Sequence, residues 1–142
     1  RSRRIMTNIY NHADLHEMHL YPCAYSMTFN VTGNKLNAIL NQRSQDMLTA
    51  NNWNVCQYSA LTLMLAQVTG FEPGEFVHVI ADAHIYDRHI DLVKGVMEKE
   101  PFKAPKVRLN PDVKDFYDFT VDDFIVEDYE FHKLGKKVPV AI

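Results

Sequence analysis

The chain has 142 residues, of which 46% are hydrophobic and 23% are charged. This length and apolar content are sufficient for a sizeable hydrophobic core, so we predict a single domain over residues 1–142. The formal net charge of −3 disfavours a protein that coats nucleic acid, because such proteins present a strongly basic face. No apolar run approaches the roughly 20 residues that a membrane-spanning helix requires. We therefore expect neither a nucleic acid nor a membrane as a partner.

The chain contains two cysteines, Cys23 and Cys56, and nothing in it reads as a signal peptide. This pattern favours a reducing compartment, where a lone cysteine is more often a nucleophile than a disulfide partner. We therefore predict a cytoplasmic protein. The sequence begins at Arg1 without an initiator methionine, and we expect it to be a fragment or a processed product.

The first elements in chain order are predicted strands. One is expected at about residues 5–10. Residues 25–31 then alternate apolar and polar side chains with the two-residue period of a half-buried strand, and the apolar face, extended backward, carries Cys23. Gly33-Asn34 is typical of a tight turn and predicts a β-hairpin with a second strand over residues 35–46.

The middle of the chain predicts a long helix. Apolar residues recur at helical spacing over residues 55–69 and leave little of the circumference polar, so we expect this helix to be central. Asn54 is placed to cap its start, and Gly70 to end it. A third strand is expected over residues 76–86.

Two elements are predicted in the last third of the chain. Residues 89–99 have the pattern of an amphipathic helix, and residues 124–126 that of a short strand. Together with the earlier elements they predict an α+β fold.

Polar side chains appear toward one end of each of the three strands. They are Cys23 in the first, Gln42, Ser44 and Asp46 in the second, and Asp82, His84 and Tyr86 in the third. Two interpretations are open. Buried polar groups without partners cost about 1–3 kcal/mol each, so a shared ligand pocket would explain them jointly. Alternatively, each polar end marks only where its strand meets solvent.

Four short segments resemble the thymidylate synthase family in their order and spacing. They are Tyr21-Pro22-Cys23, Gln42-Arg43-Ser44-Gln45-Asp46, Trp53-Asn54 and Asp82-Ala83-His84-Ile85-Tyr86. The pair Arg3-Arg4 and the terminal segment Pro139-Val140-Ala141-Ile142 extend the resemblance over essentially the whole chain. The chain would correspond to about the second half of the family's sequence.

The resemblance implies a fold and an activity. The fold would be α+β (α/β layered), with a mixed, bent β-sheet that packs on a long central helix and forms a homodimer interface. The activity would be the reductive methylation of dUMP to dTMP, with methylenetetrahydrofolate as the donor of the carbon and the hydride. Cys23 would be the nucleophile that adds to carbon 6 of the pyrimidine. Arg43 is the neighbour that we expect to favour its ionised form.

The resemblance also implies which residues bind the nucleotide. Arg43 and Ser44 would bind the phosphate together with Arg3 and Arg4 of the other subunit, and an arginine fork suits phosphate oxygens. Asn54 would contact the uracil edge, and His84 and Tyr86 the deoxyribose hydroxyl. The expected substrate-binding set is completed by Gln42 and Asp46.

For the reduced folate, the implied residues are Asp46, Trp53, Tyr86, Ala141 and Ile142. Asp46 would be a pterin-binding carboxylate, Trp53 an aromatic wall, and the C-terminal residues a mobile tail that closes over the site. A further glutamate and tryptophan of the family would lie in the half that this sequence does not include.

Ala24, Ala81 and Ala50 depart from the family pattern, which usually has histidine after the cysteine and glycine at the other two positions. Two other functions stay open at this point: a pyrimidine nucleotide hydroxymethylase, and a non-catalytic dimerisation or RNA-binding fragment. Asn54 argues against a cytosine-specific hydroxymethylase, where aspartate would be expected. The spacing of His12, His16, His19 and Cys23 matches no standard zinc pattern, so we expect no metal.

Overall fold

The computed structural model describes residues 2–135 and 137–139. The chain divides into two units, Arg1–His84 and Ile85–Ile142. The single domain over residues 1–142 therefore stays a prediction. Within the described residues, no helix has both the length and the apolar character needed to cross a membrane.

The first unit is built on a mixed four-stranded sheet. Its elements are β1 (Met6–Asn8), a 3-10 turn (Leu15–Glu17), β2 (Ala24–Thr32), β3 (Lys35–Gln42), β4 (Gln45–Asp46), α1 (Asn51–Thr69), β5 (Glu72–Ile80) and β6 (Ala83–His84). The order in the sheet is β1-β2-β3-β5, and β4 and β6 form a separate parallel pair. The first three strands are antiparallel, whereas β5 runs parallel to β3. The predicted α+β class and the mixed sheet are confirmed.

The hairpin between β2 and β3 forms as predicted. Thr32 pairs with Lys35 across the turn, and Gly33 has a φ of +62°, a left-handed conformation that glycine adopts without steric cost. One face of the hairpin is the core of the unit. Its buried residues are Met27, Phe29, Leu36, Ala38 and Leu40, and they cluster with Ala66 of α1.

The start of β2 differs from simple alternation. The pairing register with β3 shifts between Ala24 and Ser26, and such a bulge moves the preceding residues to the other face. Ala24 therefore joins the core cluster with Met27 and Phe29. The expectation that Cys23 continues the apolar face is wrong, and Cys23 lies half-buried just before the strand.

The second and third predicted strands both break at the same edge of the sheet. Strand β3 ends at Gln42, and the chain then forms the short β4, which pairs with β6 instead of with β2. The third strand likewise divides into β5 and β6, and it begins four residues earlier than expected. Each of these two predicted strands is therefore two strands in the structure, because the chain changes its pairing partner beyond Gln42 and beyond Ile80.

Helix α1 begins earlier than its apolar pattern indicates. It starts at Asn51, and Ala50 occupies the N-cap position, so the prediction that Asn54 caps the helix is wrong. Asn54 lies in the first turn, and its backbone N–H donates to the carbonyl of Ala50 at 3.1 Å. The predicted end is confirmed, because Gly70 has a φ of +72° and its N–H donates to the last carbonyls of the helix.

The second unit contains a helix and a two-stranded antiparallel sheet. A 3-10 turn (Asp87–His89) leads into α2 (Ile90–Met97), and β7 (Lys106–Leu109) pairs with β8 (Phe124–Glu127). Both elements that the sequence predicts here are confirmed, with small shifts of their ends. Asp123 fastens the connection between the strands, since it accepts hydrogen bonds from Thr120 and Asn110. These bonds lower the pKa of Asp123 below its ordinary value.

We predict opposite effects of the same substitution at two glycines. At Gly74 in β5, an added Cβ would overlap Asn37 Oδ1 and lie 2.9 Å from the carbonyl oxygen of Leu36. Gly74→Ala should therefore lower the free energy of unfolding by about 1–3 kcal/mol. At Gly95 in α2 an added Cβ meets no atom within 4 Å, so Gly95→Ala should raise it by up to about 1 kcal/mol. Urea denaturation of both variants is the measurement, and equal effects would contradict the close packing at Gly74.

Candidate active site

Cys23 lies at the edge of the sheet where β3 ends. Its backbone carbonyl accepts a hydrogen bond from the N–H of Arg43 at 2.9 Å, which joins the segment before β2 to the segment after β3. The thiol is half-buried, and its sulfur lies 4.0 Å from the carbonyl oxygen of Tyr21. The thiol thus sits on a segment that the neighbouring strand holds in place.

The Arg43 side chain is directed at the residues that precede Cys23. Its Nε donates to the carbonyl of Pro22 at 3.2 Å, and its Nη2 donates to the carbonyl of Tyr21 at 2.8 Å. These bonds occupy two of the five N–H donors of the guanidinium group. The guanidinium group is thereby held against the backbone of the two residues that precede Cys23. The predicted pair of Cys23 and Arg43 is therefore brought together.

Arg43 also lines two open pockets of the first unit. They have volumes of about 390 and 430 Å³, and both are lined by Arg43 and Tyr10. The remaining walls of the two pockets are Asn8, His12 and Tyr25 in one, and Met18, His19, Leu20 and Tyr21 in the other. A guanidinium group among polar and aromatic walls can hold an anionic group.

A buried hydrogen-bond network surrounds the side chain of Gln42, which is only 2% exposed. Its amide nitrogen faces three acceptors, which are the backbone carbonyl of Ser44 at 2.8 Å, Gln45 Oε1, and Asn54 Oδ1 at 3.3 Å. Because the NH₂ group has two hydrogens, one of them is shared between two of these acceptors. Its Oε1 lies 2.8 Å from His78 Nε2. The network therefore connects the first turn of α1 to the ends of β3 and β5.

His78 is a member of this network that the sequence did not single out. It occupies a half-buried position of β5 between Phe76 and Ile80 on the face toward the core. A histidine between two apolar residues of the same strand face was the available signal. Burial lowers the pKa of His78 below its ordinary value, so the ring is neutral at physiological pH.

The pair of β4 and β6 places Asp46 opposite His84. His84 Nδ1 lies 3.4 Å from Asp82 Oδ2. The Asp46 carboxylate accepts hydrogen bonds from the N–H groups of Leu48 and Thr49, at 3.0 and 3.3 Å, and from the Thr49 hydroxyl. Asp46 thus holds the turn that leads into α1, and its role in folate binding stays a prediction.

Arg3 and Arg4 are distant from Cys23 of the same chain. The carbonyl of Ile5, the next residue, accepts a hydrogen bond from the N–H of Phe29. Phe29 is six residues along β2 from Cys23, which corresponds to about 20 Å at about 3.3 Å per residue. Both arginines are exposed at the opposite end of the strand from the thiol.

The other predicted residues are in different settings. Ser44 is half-buried and contributes its carbonyl to Gln42, whereas Trp53 is 80% exposed in the first turn of α1. Tyr86 belongs to the second unit, where its ring meets that of His89 edge-on at 5.7 Å. Ala141 and Ile142 lie outside the described residues.

His89 in the second unit is a further residue that the sequence did not indicate. It is 1% exposed, and its Nε2 lies 2.8 Å from the carbonyl oxygen of Pro139. Within residues 2–135 and 137–139, no group of three or more potential ligands among His, Cys, Asp and Glu is arranged to hold a metal ion.

Comparisons with known proteins identify the family. The sequence model described as thymidylate synthase matches residues 1–142. The chain is 48% identical over 140 residues to thymidylate synthase 1 of Bacillus amyloliquefaciens, covering 98% of this chain and 61% of that protein. It is 49% identical over 129 residues to thymidylate synthase of Bacillus mojavensis, covering 91% of this chain and 46% of that protein.

A solved structure agrees with these matches. Thermostable thymidylate synthase A from Bacillus subtilis superimposes with a TM-score of 0.89 at 45% identity, over 99% of this chain and 50% of that one. The chain spans roughly half of the length of the proteins that it matches. The chain belongs to the thymidylate synthase family.

Proposed function

We propose that the protein containing this chain converts dUMP to dTMP with methylenetetrahydrofolate as the cosubstrate. The proposal rests on the position of the half-buried Cys23 thiol. The two residues before it, Tyr21 and Pro22, accept hydrogen bonds from the Arg43 guanidinium group. This arrangement occurs within the ordered motifs of the family. Because the chain covers about half of its relatives, residues from the remainder of the protein would complete the folate site.

The chemistry requires a nucleophile because carbon 5 of uracil does not attack an electrophile unaided. Addition of the Cys23 thiolate to carbon 6 pushes an electron pair into the ring and makes carbon 5 an enolate carbon, which can then attack the methylene group. Loss of the proton from carbon 5 would then break the bond between the methylene group and the folate nitrogen and leave an exocyclic methylene group. A hydride from the released tetrahydrofolate would convert this group to methyl and expel the thiolate, with dihydrofolate as the second product. Departure of the thiolate at the end restores the pyrimidine ring.

Substrate recognition would be divided among the residues that match the family's motifs. Asn54 would read the base edge, since an amide offers both a donor and an acceptor. Arg43 and Ser44 would bind the phosphate, and His84 and Tyr86 the deoxyribose. Gln42 would act beside them in the substrate site. The folate contacts would come from Asp46, Trp53, Tyr86, Ala141 and Ile142.

A homodimer would complete the phosphate site. The sheet face that points away from α1 carries Val77 and Val79, which are 45% and 49% exposed, beside Ile39. Packing this face against its symmetry copy would bury that apolar surface. Arg3 and Arg4 precede Ile5, which is bonded to Phe29, about 20 Å along β2 from Cys23, and this placement supports a site that borrows Arg3 and Arg4 of the partner subunit.

The alternatives have less support. No feature of the site favours a hydroxymethylase, and none favours a non-catalytic dimerisation or RNA-binding fragment. The net charge of −3 also opposes RNA binding. Two free cysteines agree with a reducing compartment, and a cytoplasmic location is part of the proposal.

The first prediction concerns the nucleophile. In the full-length protein, 5-fluoro-dUMP with methylenetetrahydrofolate should form a stable covalent adduct on Cys23. Fluorine at carbon 5 cannot leave as a proton, so the folate is not eliminated and the later step that would release the thiol does not occur. Peptide mass spectrometry locates the adduct. Cys56→Ser is the matched control, since Cys56 is exposed on α1, and this variant should be trapped like the wild type. An adduct on Cys56, or full turnover by Cys23→Ala, would show that the assignment is wrong.

The second prediction concerns the shared site. Full-length subunits carrying Arg3→Ala and Arg4→Ala should be inactive, as should Cys23→Ala subunits. Mixing them should restore activity, because one of the two sites in each mixed dimer then has every wild-type group. Turnover of dUMP after subunit exchange is the measurement. Mixed dimers that form without any recovery of turnover would contradict a site built from two subunits.

A further inference from the structure

We propose that His78 is a positioning residue which fixes the side-chain amide of Asn54 through Gln42, and thereby contributes to the selection of uracil over cytosine. The inference rests on the proposed function, because it takes Asn54 as the group that reads the base. It adds a residue outside the motifs that identify the family.

The orientation of the Gln42 amide follows from a neighbour that can only accept hydrogen bonds. The backbone carbonyl of Ser44 lies 2.8 Å from the amide nitrogen of Gln42, so this branch of the amide must be the NH₂ group. The other branch, Oε1, then faces His78 Nε2 at 2.8 Å. His78 must therefore carry a proton on Nε2 and donate it.

The protonation state of His78 determines how many hydrogen bonds its ring can donate. Burial lowers the pKa of His78, so at physiological pH the ring is neutral and has a single N–H donor. With Nε2 protonated, that donor is fixed toward Gln42. Because the Gln42 side chain is 2% exposed, solvent has little access to replace this donor if His78 is removed. Loss of the bond would leave the buried Gln42 Oε1 without a donor, and only the acceptors on the NH₂ side would still hold the amide in its orientation.

Asn54 is oriented by the same logic. Its side-chain atom 3.3 Å from the Gln42 NH₂ group must be the oxygen, because two NH₂ groups cannot hydrogen-bond to each other. The NH₂ group of Asn54 then occupies the other branch. Gln45 closes the network, since its side chain is 1% exposed, its oxygen accepts from Gln42, and its nitrogen donates to the carbonyl of Asp46 at 3.2 Å.

A fixed amide can discriminate between the two pyrimidines. Uracil presents an N–H donor at position 3 beside an oxygen acceptor at position 4, whereas cytosine presents an acceptor at position 3 beside an amino group. The two edges are matched by opposite orientations of one amide. An Asn54 that could flip would accept both bases, and an Asn54 held by Gln42 and His78 accepts one.

The test uses the full-length protein and compares the binding of dUMP with that of dCMP by isothermal titration calorimetry. His78→Phe keeps a flat ring but removes the donor, and it should reduce the preference for dUMP by about tenfold. His78→Gln retains an N–H donor and should keep more of the preference. Phe76→Leu is the control. The Phe76 ring lies 6.2 Å from that of His78, so this variant alters the packing but leaves the hydrogen bond, and the preference should not change.

Each outcome decides between the inference and the proposed function. A folded His78→Phe protein with the wild-type preference, or with equal losses for both nucleotides, overturns the inference alone. A wild-type protein that binds no dUMP overturns the proposed function and the inference with it. If His78→Phe does not fold, Gln42→Met decides, because a thioether has no hydrogen to donate to Asn54. Its preference for dUMP must then fall, and an unchanged preference overturns the inference.

Discussion

The hydrogen-bonding requirement of the buried Gln42 amide organises the first unit. A polar side chain that is 2% exposed must find protein partners, since an unsatisfied buried group costs about 1–3 kcal/mol. Gln42 finds them in the turn after β3, in β4, in the first turn of α1 and in β5. One side chain thus fixes the relative positions of four segments at the end of the sheet.

The strand directions explain why the candidate residues collect at this end. Strand β2 is antiparallel to β3, so its start lies beside the end of β3, and Ala24 pairs with Gln42. Strand β5 is parallel to β3, so its end lies there too, and Gln42 pairs with Ile80. The residues before β2, after β3 and after β5 are far apart in sequence but share one edge. That edge holds Cys23, Arg43 and His84.

The sequence predicted the features that depend on local chemistry. The hairpin at Gly33 and the helix end at Gly70 could be predicted because both need a residue in the left-handed backbone conformation, which glycine adopts without steric cost. It failed at Asn54 because α1 starts three residues earlier, at Asn51, which places Asn54 inside the first turn and not at the N-cap. The exchange of strand partners beyond Gln42 and the contact between His78 and Gln42 depend on tertiary pairing. Periodicity carries no information about either. The residues of the candidate site were predicted from the order and spacing of the motifs that resemble the family.

The most direct test of a nucleotide site at this edge is a crystal structure of the full-length protein with dUMP. We expect the base edge to lie within hydrogen-bonding distance of the Asn54 amide, and the Asn54 oxygen to remain bonded to Gln42. We also expect carbon 6 next to the Cys23 sulfur, and the phosphate between Arg43 and Arg3 and Arg4 of the partner subunit. A nucleotide bound away from Cys23, or a phosphate held by one subunit alone, would contradict these expectations.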